Sequence, residues 1–413
     1  MEAKQVRSFE ISKMLVWRAW KRVKANRGAP GIDAQSISAY ERQLTSNLYK
    51  LWNRMSSGSY FPDPVRRVWI PKADGKERPL GIPTVEDRVA QMVVKLVLEP
   101  QLDPLFHQDS YGYRPHKSAQ QAVRQCRQRC WRQAWVVDLD IKGFFDAIDH
   151  ELLMKALTHH VNDAWVILYV ERWLKAAVCH PDGVLERRDS GVPQGGVISP
   201  LLSNLFLHYV CDRWLQSHFP DAPFERYADD AVVHCRSEAR ANEVLFRLRQ
   251  RFEECGLELH PKKTRIVYCR DEQRRLSYPH TSFDFLGFSF QARRVLNRRG
   301  WFFSGFHPAV SRKSLKRMGD VIRAWRFQRL SELSLDDLAR WLNPVIGGWI
   351  NYYGEFYPGV LKRFLWRLDH RIIKWARKKY RSIRGSNKRS AKWFADLRAN
   401  HPTLFAHWAF VYG

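Results

Sequence analysis

Two short acidic segments of this sequence could do metal chemistry. One is Val137-Asp138-Leu139-Asp140-Ile141-Lys142-Gly143-Phe144-Phe145-Asp146, an apolar run with carboxylates at alternate positions. The other is Arg226-Tyr227-Ala228-Asp229-Asp230-Ala231-Val232-Val233, two adjacent acids between apolar, β-like runs. Alternate residues of a strand share a face, so the first segment delivers a carboxylate at a sheet edge. A hairpin would hold Asp229 and Asp230 at its tip. By themselves these two acids fit a solvated turn. Paired with a second acid-bearing strand end they fit a cation site, because neighbouring buried like charges repel unless a cation intervenes. Carboxylate oxygens are hard ligands and suit Mg²⁺. Two such ions about 3.5–4 Å apart suit nucleotidyl transfer. One activates a 3′-hydroxyl, and the other holds a triphosphate and its leaving pyrophosphate.

The elements that must position these acids are legible in outline. Residues 1–60 read as mainly helical, interrupted by a basic loop at 21–31 that contains Gly28, Pro30 and Gly31. Residues 64–84 read as a hairpin around Ala73-Asp74-Gly75-Lys76. Helices are expected over 86–101 and 117–131, a strand over 135–141, and a strand, acidic turn and strand over 224–235. A helix over 200–216 has Ser199 as its expected cap and Pro200 at its first position. The next carries Val244, Leu245, Leu248 and Phe252 on one stripe and stops at Gly256. Residues 264–269 and 283–290 are strand-like. From about 310 the pattern is helical, aromatic and basic.

Composition points to a polyanionic partner. Lys and Arg outnumber Asp and Glu by 69 to 42, a net charge of +27. Such self-repulsion is unusual for an enzyme of small molecules, and a nucleic acid would relieve it with counterion release. Residues 361–392 hold thirteen Lys or Arg against one acid, Asp369, with Trp366, Trp375 and Tyr380 interleaved. Cations among aromatic rings suit nucleic-acid backbone and bases. No apolar run approaches 18 residues, so no membrane partner is expected. Seven scattered cysteines without a CxxC pair fit reduced thiols inside a cell. The last 144 residues contain no cysteine, which argues against a zinc-stapled nuclease module there.

The motifs together resemble one family. Tyr227-Ala228-Asp229-Asp230 is similar to the metal-binding hairpin of reverse transcriptases. Asp140-Ile141-Lys142-Gly143-Phe144-Phe145-Asp146 is similar to the matching first motif of the group II intron enzymes. Between them, Gly191-Val192-Pro193-Gln194-Gly195-Gly196 resembles the segment that meets template and incoming nucleotide. Gly347-Gly348-Trp349-Ile350-Asn351-Tyr352-Tyr353-Gly354 resembles a maturase signature. The resemblance covers the chain from about residue 20 onward. It implies an α+β, right-hand polymerase: fingers, then a palm with an antiparallel sheet packed on helices, then a helical thumb/maturase domain. The corresponding boundaries are 1–60 for the N-terminal extension and start of the fingers, 61–135 for fingers, 136–295 for palm, 296–385 for thumb and 386–413 for a basic DNA-binding tail.

The resemblance also implies roles. Asp140, Asp229 and Asp230 match the catalytic acids, with Asp138 the alternative if the register differs, and Ile141 joins them at the two Mg²⁺ ions. Lys263, in a segment similar to the next palm motif, matches a candidate acid for the pyrophosphate. Lys72 and Arg78 match a triphosphate-binding pair, and Ile141, Gln194 and Tyr227 lie at the nucleotide. Phe145 matches the ring that leaves no room for a ribose 2′-hydroxyl. Arg114, in Ser110-Tyr111-Gly112-Tyr113-Arg114-Pro115, is a template-side candidate. Arg371, Lys374, Arg377, Lys378 and Lys379 are nucleic-acid contacts by charge. Phe285-Leu286-Gly287-Phe288 resembles the hairpin that grips the primer end. The implied partners are a group II intron RNA, a DNA target and primer, and dNTPs. The implied setting is the bacterial cytoplasm, near the nucleoid. The match is to the endonuclease-lacking bacterial type, which would borrow its primer from a nascent strand or a nick. An inert splicing factor and a defence enzyme are the other readings. Intact acids disfavour the first, and the maturase signature disfavours the second.

Overall fold

The computed structural model describes residues 9–71, 77–297 and 299–413. The chain forms two compact units. The first comprises residues 1–122 and 137–265, the second 123–136 and 266–413. The expected hairpin at 64–84 is β1 (Val65–Pro71) with β2 (Glu77–Ile82), antiparallel, Ile70 opposite Arg78. Lys72 and the rest of the turn lie outside the described residues. β3 (Trp135–Leu139) is the acid-bearing strand. β4 (Val178–Cys179) and β5 (Leu185–Glu186) are two short strands not evident in the sequence; β4 pairs in parallel with β1. β6 (Phe224–Tyr227) and β7 (Asp230–Cys235) form an antiparallel hairpin, and with β8 (Arg265–Tyr268) the sheet order is β6-β7-β3-β8.

Helices pack on these strands for reasons visible locally. Thr84 caps the helix Val85–Leu102 by accepting from Asp87 N–H, and Glu86 and Asp87 in its first turn suit the helix dipole. Its face with Val85, Val89, Val93 and Leu98 is fully buried. The expected basic loop at 21–31 is a loop only from Asn26, because the helix Lys13–Ala25 ends before the first glycine. Likewise Ser199 does not cap the next expected helix. That helix starts at Ser199 itself, with Ile198 at the cap position, and gives way to a wider turn at His208–Asp212. A side chain from elsewhere, Gln91, takes the backbone N–H groups of Val197 and Ile198 instead. Gly256, at φ +73°, ends the helix Glu238–Glu254 as expected.

The second unit holds a three-stranded antiparallel sheet, β9 (Ser282–Phe285), β10 (Phe288–Leu296) and β11 (Phe302–Val310). Leu286 and Gly287 both have positive φ, at 51° and 80°, which a two-residue turn between β9 and β10 requires. The helices Arg312–Trp325, Leu335–Tyr353, Gly359–Lys379, Asn387–Asn400 and Ala406–Tyr412 follow. Their core includes Leu338, Ile346, Leu365, Ile372, Trp375 and Trp408. Residues 386–413, read from sequence as a basic tail, contribute Phe394, Phe405 and Trp408 to it. Among the described residues no helix is long and apolar enough to cross a membrane.

Candidate active site

Asp229 stands in the two-residue turn between β6 and β7, and Asp230 opens β7 opposite Tyr227. Ala228, the first turn residue, has φ +57°, a costly conformation for a residue with a Cβ. A buried cation holds it there. Arg226, 1% exposed, forms a two-pronged ion pair with Asp212, both contacts at 2.6 Å. It also donates to Asn204 Oδ1 at 3.0 Å, Ser110 Oγ at 2.8 Å and the Ala228 carbonyl at 3.0 Å. Gly112 lies so close that a Cβ there would sit 2.4 Å from Ala228 N. The motif's arginine therefore sets the turn, and Asp212 and Asn204, which the motifs alone do not single out, complete the support. Their only signal was polarity inside an otherwise apolar helical run.

Asp140 follows the last residue of β3. Its backbone carbonyl accepts from His260 N–H at 2.8 Å and from Thr264 Oγ1 at 3.2 Å. Its carboxylate accepts from Lys263 Nζ at 3.0 Å. Ile141 is buried and bridges to Leu259. Burial, and next among the charges the Asp140 carboxylate, hold Asp229 above the usual carboxylate range; a backbone hydrogen bond, Arg78 and Lys263 oppose them. Asp138 faces Arg265 at 3.3 Å. Burial pushes Asp138 up to about 7 against the pull of Arg265, with Asp230 and Asp140 adding to the rise. Four carboxylates thus act on one another across the ends of β3 and β7. Their oxygens are hard donors, and the burial and like-charge crowding that raise Asp138 and Asp229 are the condition a divalent cation relieves. Asp138 and Asp140 thus each face a cation, Arg265 and Lys263 respectively.

The family description "Reverse transcriptase (RNA-dependent DNA polymerase)" matches residues 70–290, more than half of the chain. The chain belongs to the reverse transcriptase family. A second description, "Group II intron, maturase-specific domain", matches residues 315–393. The chain is 32% identical to Protein YkfC of Escherichia coli over 65% of its own length and 76% of YkfC. It is 34% identical to the group II intron-encoded protein LtrA of Lactococcus lactis, over 46% of its own length and 32% of LtrA. A telomerase from Candida albicans, solved with a fragment of telomeric RNA, aligns at 13% identity and a TM-score of 0.46, covering 83% of this chain and 63% of that one. The family match gives the fold as the α+β arrangement of reverse transcriptases, and members of the family generally use divalent metal ions.

In this reverse transcriptase the Gly191–Gly196 segment is pinned along its length. Gly191 N–H donates to the Ile148 carbonyl and Val192 N–H to the Phe145 carbonyl, each at 2.7 Å. Gln194 Nε2 donates to Asp146 Oδ2 at 3.3 Å, and its carbonyl accepts from Gly81 N–H of β2 at 2.7 Å. Phe145 is half-buried beside this segment, on the short helix Phe144–Ala147. Arg78, on β2, is exposed and acts electrostatically on both Asp229 and Tyr113. Tyr227 is half-buried, its ring 6.3 Å from that of Tyr113.

Arg114, the template-side candidate, is turned inward. Its side chain is 7% exposed and its donors are taken up internally, by Asp103 and by the carbonyls of His107, Ser110 and Asp103. An arginine so committed braces the turn.

The basic run of the second unit divides in the same way. Arg377 donates to the Arg384 carbonyl and to Asn387, and Lys379 to the carbonyls of Ser331 and Leu333. Arg371 reaches the Ile322 carbonyl at 3.4 Å, whereas Lys374 and Lys378 are exposed. The structure adds a cleft that periodicity alone did not single out. Arg312, Lys316 and Arg323 face Arg363 and Arg367 across a space of 420 Å³, floored by Gly319 and Phe364. Asp320 pairs with Arg323 at its rim. The i, i+4 spacing of Arg312–Lys316 and Arg363–Arg367 was the available signal, but which two helices would face each other was not.

The maturase signature has an internal use as well. Tyr352 OH donates to the Leu286 carbonyl at 3.1 Å, and Tyr353 OH bonds Ser314 Oγ at 3.2 Å. Ser314 in turn donates to the Gly287 carbonyl. Phe288 stacks on Tyr352 at 5.7 Å. The signature therefore braces the Phe285–Phe288 hairpin.

Proposed function

We propose that the chain extends a primer along an RNA template by two-metal nucleotidyl transfer with Mg²⁺. The reading also gives it a maturase role on a group II intron RNA, which it helps to splice and then copies into DNA at a new site. The observation that carries the polymerase reading is the convergence of Asp140 and Asp229 in one electrostatic cluster at strand ends. Asp140, Asp229, Asp230 and the backbone at Ile141 would hold the ions. When bound, such ions activate the 3′-hydroxyl and stabilise the charge of the departing pyrophosphate. Lys263, exposed and beside Asp140, is placed to give that pyrophosphate a proton. Lys72 and Arg78 grip the triphosphate, and Tyr227 and Gln194 border the nucleotide. Phe145 excludes a ribose 2′-hydroxyl. In the maturase region, Lys374, Lys378 and the Arg312–Arg367 cleft hold nucleic-acid backbone, where Arg371, Arg377 and Lys379 contribute less because of their internal bonds.

The decisive experiment is primer extension with an RNA template, a DNA primer, dNTPs and Mg²⁺. Wild type extends; Asp229→Asn loses extension by at least about a hundredfold while RNA binding persists, because one acid of the ion-holding set is gone. Normal extension by the variant would remove the site assignment.

A further inference from the structure

Gln91 lies on the buried face of the helix Val85–Leu102, 2% exposed. Its amide bonds in two opposite directions. Nε2 donates to Asp87 Oδ2 at 2.8 Å. Oε1 accepts from Val197 N–H at 2.7 Å and Ile198 N–H at 3.4 Å. The chemistry fixes this orientation: the backbone N–H groups of Val197 and Ile198 only donate, so the amide oxygen must face them and the nitrogen must face Asp87. Asp87 is held in turn by the Tyr60 hydroxyl at 2.7 Å and the Trp173 indole N–H at 2.6 Å. The pair is thus anchored to three other parts of the first unit.

What Gln91 holds is the far end of the Gly191–Gly196 segment. The near end is bonded to the carbonyls of Phe145 and Ile148. The middle is bonded to β2 through Gly81, where a Cβ on Gly195 would come within 2.5 Å of the Gly81 carbonyl oxygen. A Cβ on Gly196 would sit 2.5 Å from Ser199 Oγ and 3.2 Å from Gln91 Oε1. The segment has no slack at these points. If the Val197 end shifts, Gln194 shifts relative to Phe145 and to β2.

We propose that Gln91 is a positioning residue for nucleotide selection: by bridging Asp87 to Val197 it fixes Gln194 against Phe145, and so the room left beside the sugar of the incoming nucleotide. The inference rests on the reading of Phe145 and Gln194 as sugar-facing residues. Glutamine suits the task because one side chain must donate at one edge and accept at the other. Methionine fills a similar volume and does neither.

The test compares wild type, Phe145→Ala and Gln91→Met in primer extension on RNA with Mg²⁺, using dNTPs and rNTPs separately. Gln91→Met raises KM for dNTPs about tenfold with kcat within about threefold, and lowers the dNTP-over-rNTP preference about tenfold, as a misplaced binding group would. A Gln91→Met enzyme that loses thermal stability but keeps wild-type KM and sugar preference overturns the proposal, because the residue is then only structural. If Gln91→Met does not fold, Gln91→Asn decides, since it keeps the amide but cannot reach both partners; wild-type KM and preference there overturn the proposal too. An unchanged sugar preference in Phe145→Ala would bring down the sugar-facing reading itself, and the inference with it.

Discussion

Asp87 shows how one residue can carry a conflict that only burial reveals. It sits in the first turn of a helix, an ordinary place for an acid, yet it is 1% exposed. Burial raises it from 3.8 to about 6, against the pull of the Tyr60, Trp173 and Gln91 donors. The folded-state value lies above the unfolded one, so the protonated form is the one the fold favours. The contribution is fully present below pH 3.8 and is lost as pH rises through about 6. At about 1.4 kcal/mol per unit, the loss is about 3 kcal/mol. Asp87→Asn should therefore flatten the fall in melting temperature between about pH 4 and pH 6.5, while lowering stability at the acid end of that window, where its amide faces a donor it cannot accept from. An unchanged pH slope in the variant would show that Asp87 is not the titrating group. Arg226 and Arg114 show the same for cations: the side chains of both are buried and paired with an acid inside the fold, Asp212 and Asp103.

Among the elements, the long helix Gly359–Lys379 illustrates why a lone exception in a charge pattern matters. Asp369 is the one acid among thirteen cations in residues 361–392. It is buried, and it accepts from His407 Nε2 at 2.8 Å, Trp408 Nε1 at 3.1 Å and the Tyr412 hydroxyl. These three donors lie on or beside one face of the helix Ala406–Tyr412, so the acid fastens that helix to the core. Asp369→Ala should cost about 3 kcal/mol in urea unfolding, the range for a buried charged acceptor losing its donors. A loss below about 1 kcal/mol would mean that apolar contacts of Phe405 and Trp408 hold the helix unaided.

At the scale of the molecule, a charge of +27 favours a polyanionic partner, and the structure concentrates part of it in one cleft. Replacing Lys316, Arg363 and Arg367 together by Gln should weaken nucleic-acid binding and flatten the plot of log K against log salt by about 2–3 units, near 0.9 for each duplex phosphate that is no longer neutralised. A slope equal to wild type would place binding elsewhere on the surface. The three substitutions should leave the melting temperature nearly unchanged, because all three side chains are exposed and among the described residues none has an ion-pair partner.

The sequence by itself determined the family and put the candidate acids forward. The Tyr-Ala-Asp-Asp turn, the alternation at Asp138 and Asp140 and the glycines of 191–196 are local signals, governed by strand period, turn chemistry and close backbone approach. It also determined most helices, since caps such as Thr84 and Ser334 and stops such as Gly256 act within a few residues. Only the tertiary structure decided which charged groups remain free. That Arg114 packs on Asp103, that Asp138 pairs with Arg265 and Asp140 with Lys263, and which two basic helices line a cleft all depend on contacts between residues far apart in the chain. β4, Gln91 and Asp369 escaped for the same reason: a side chain's burial and its partners are properties of packing, which no local pattern encodes.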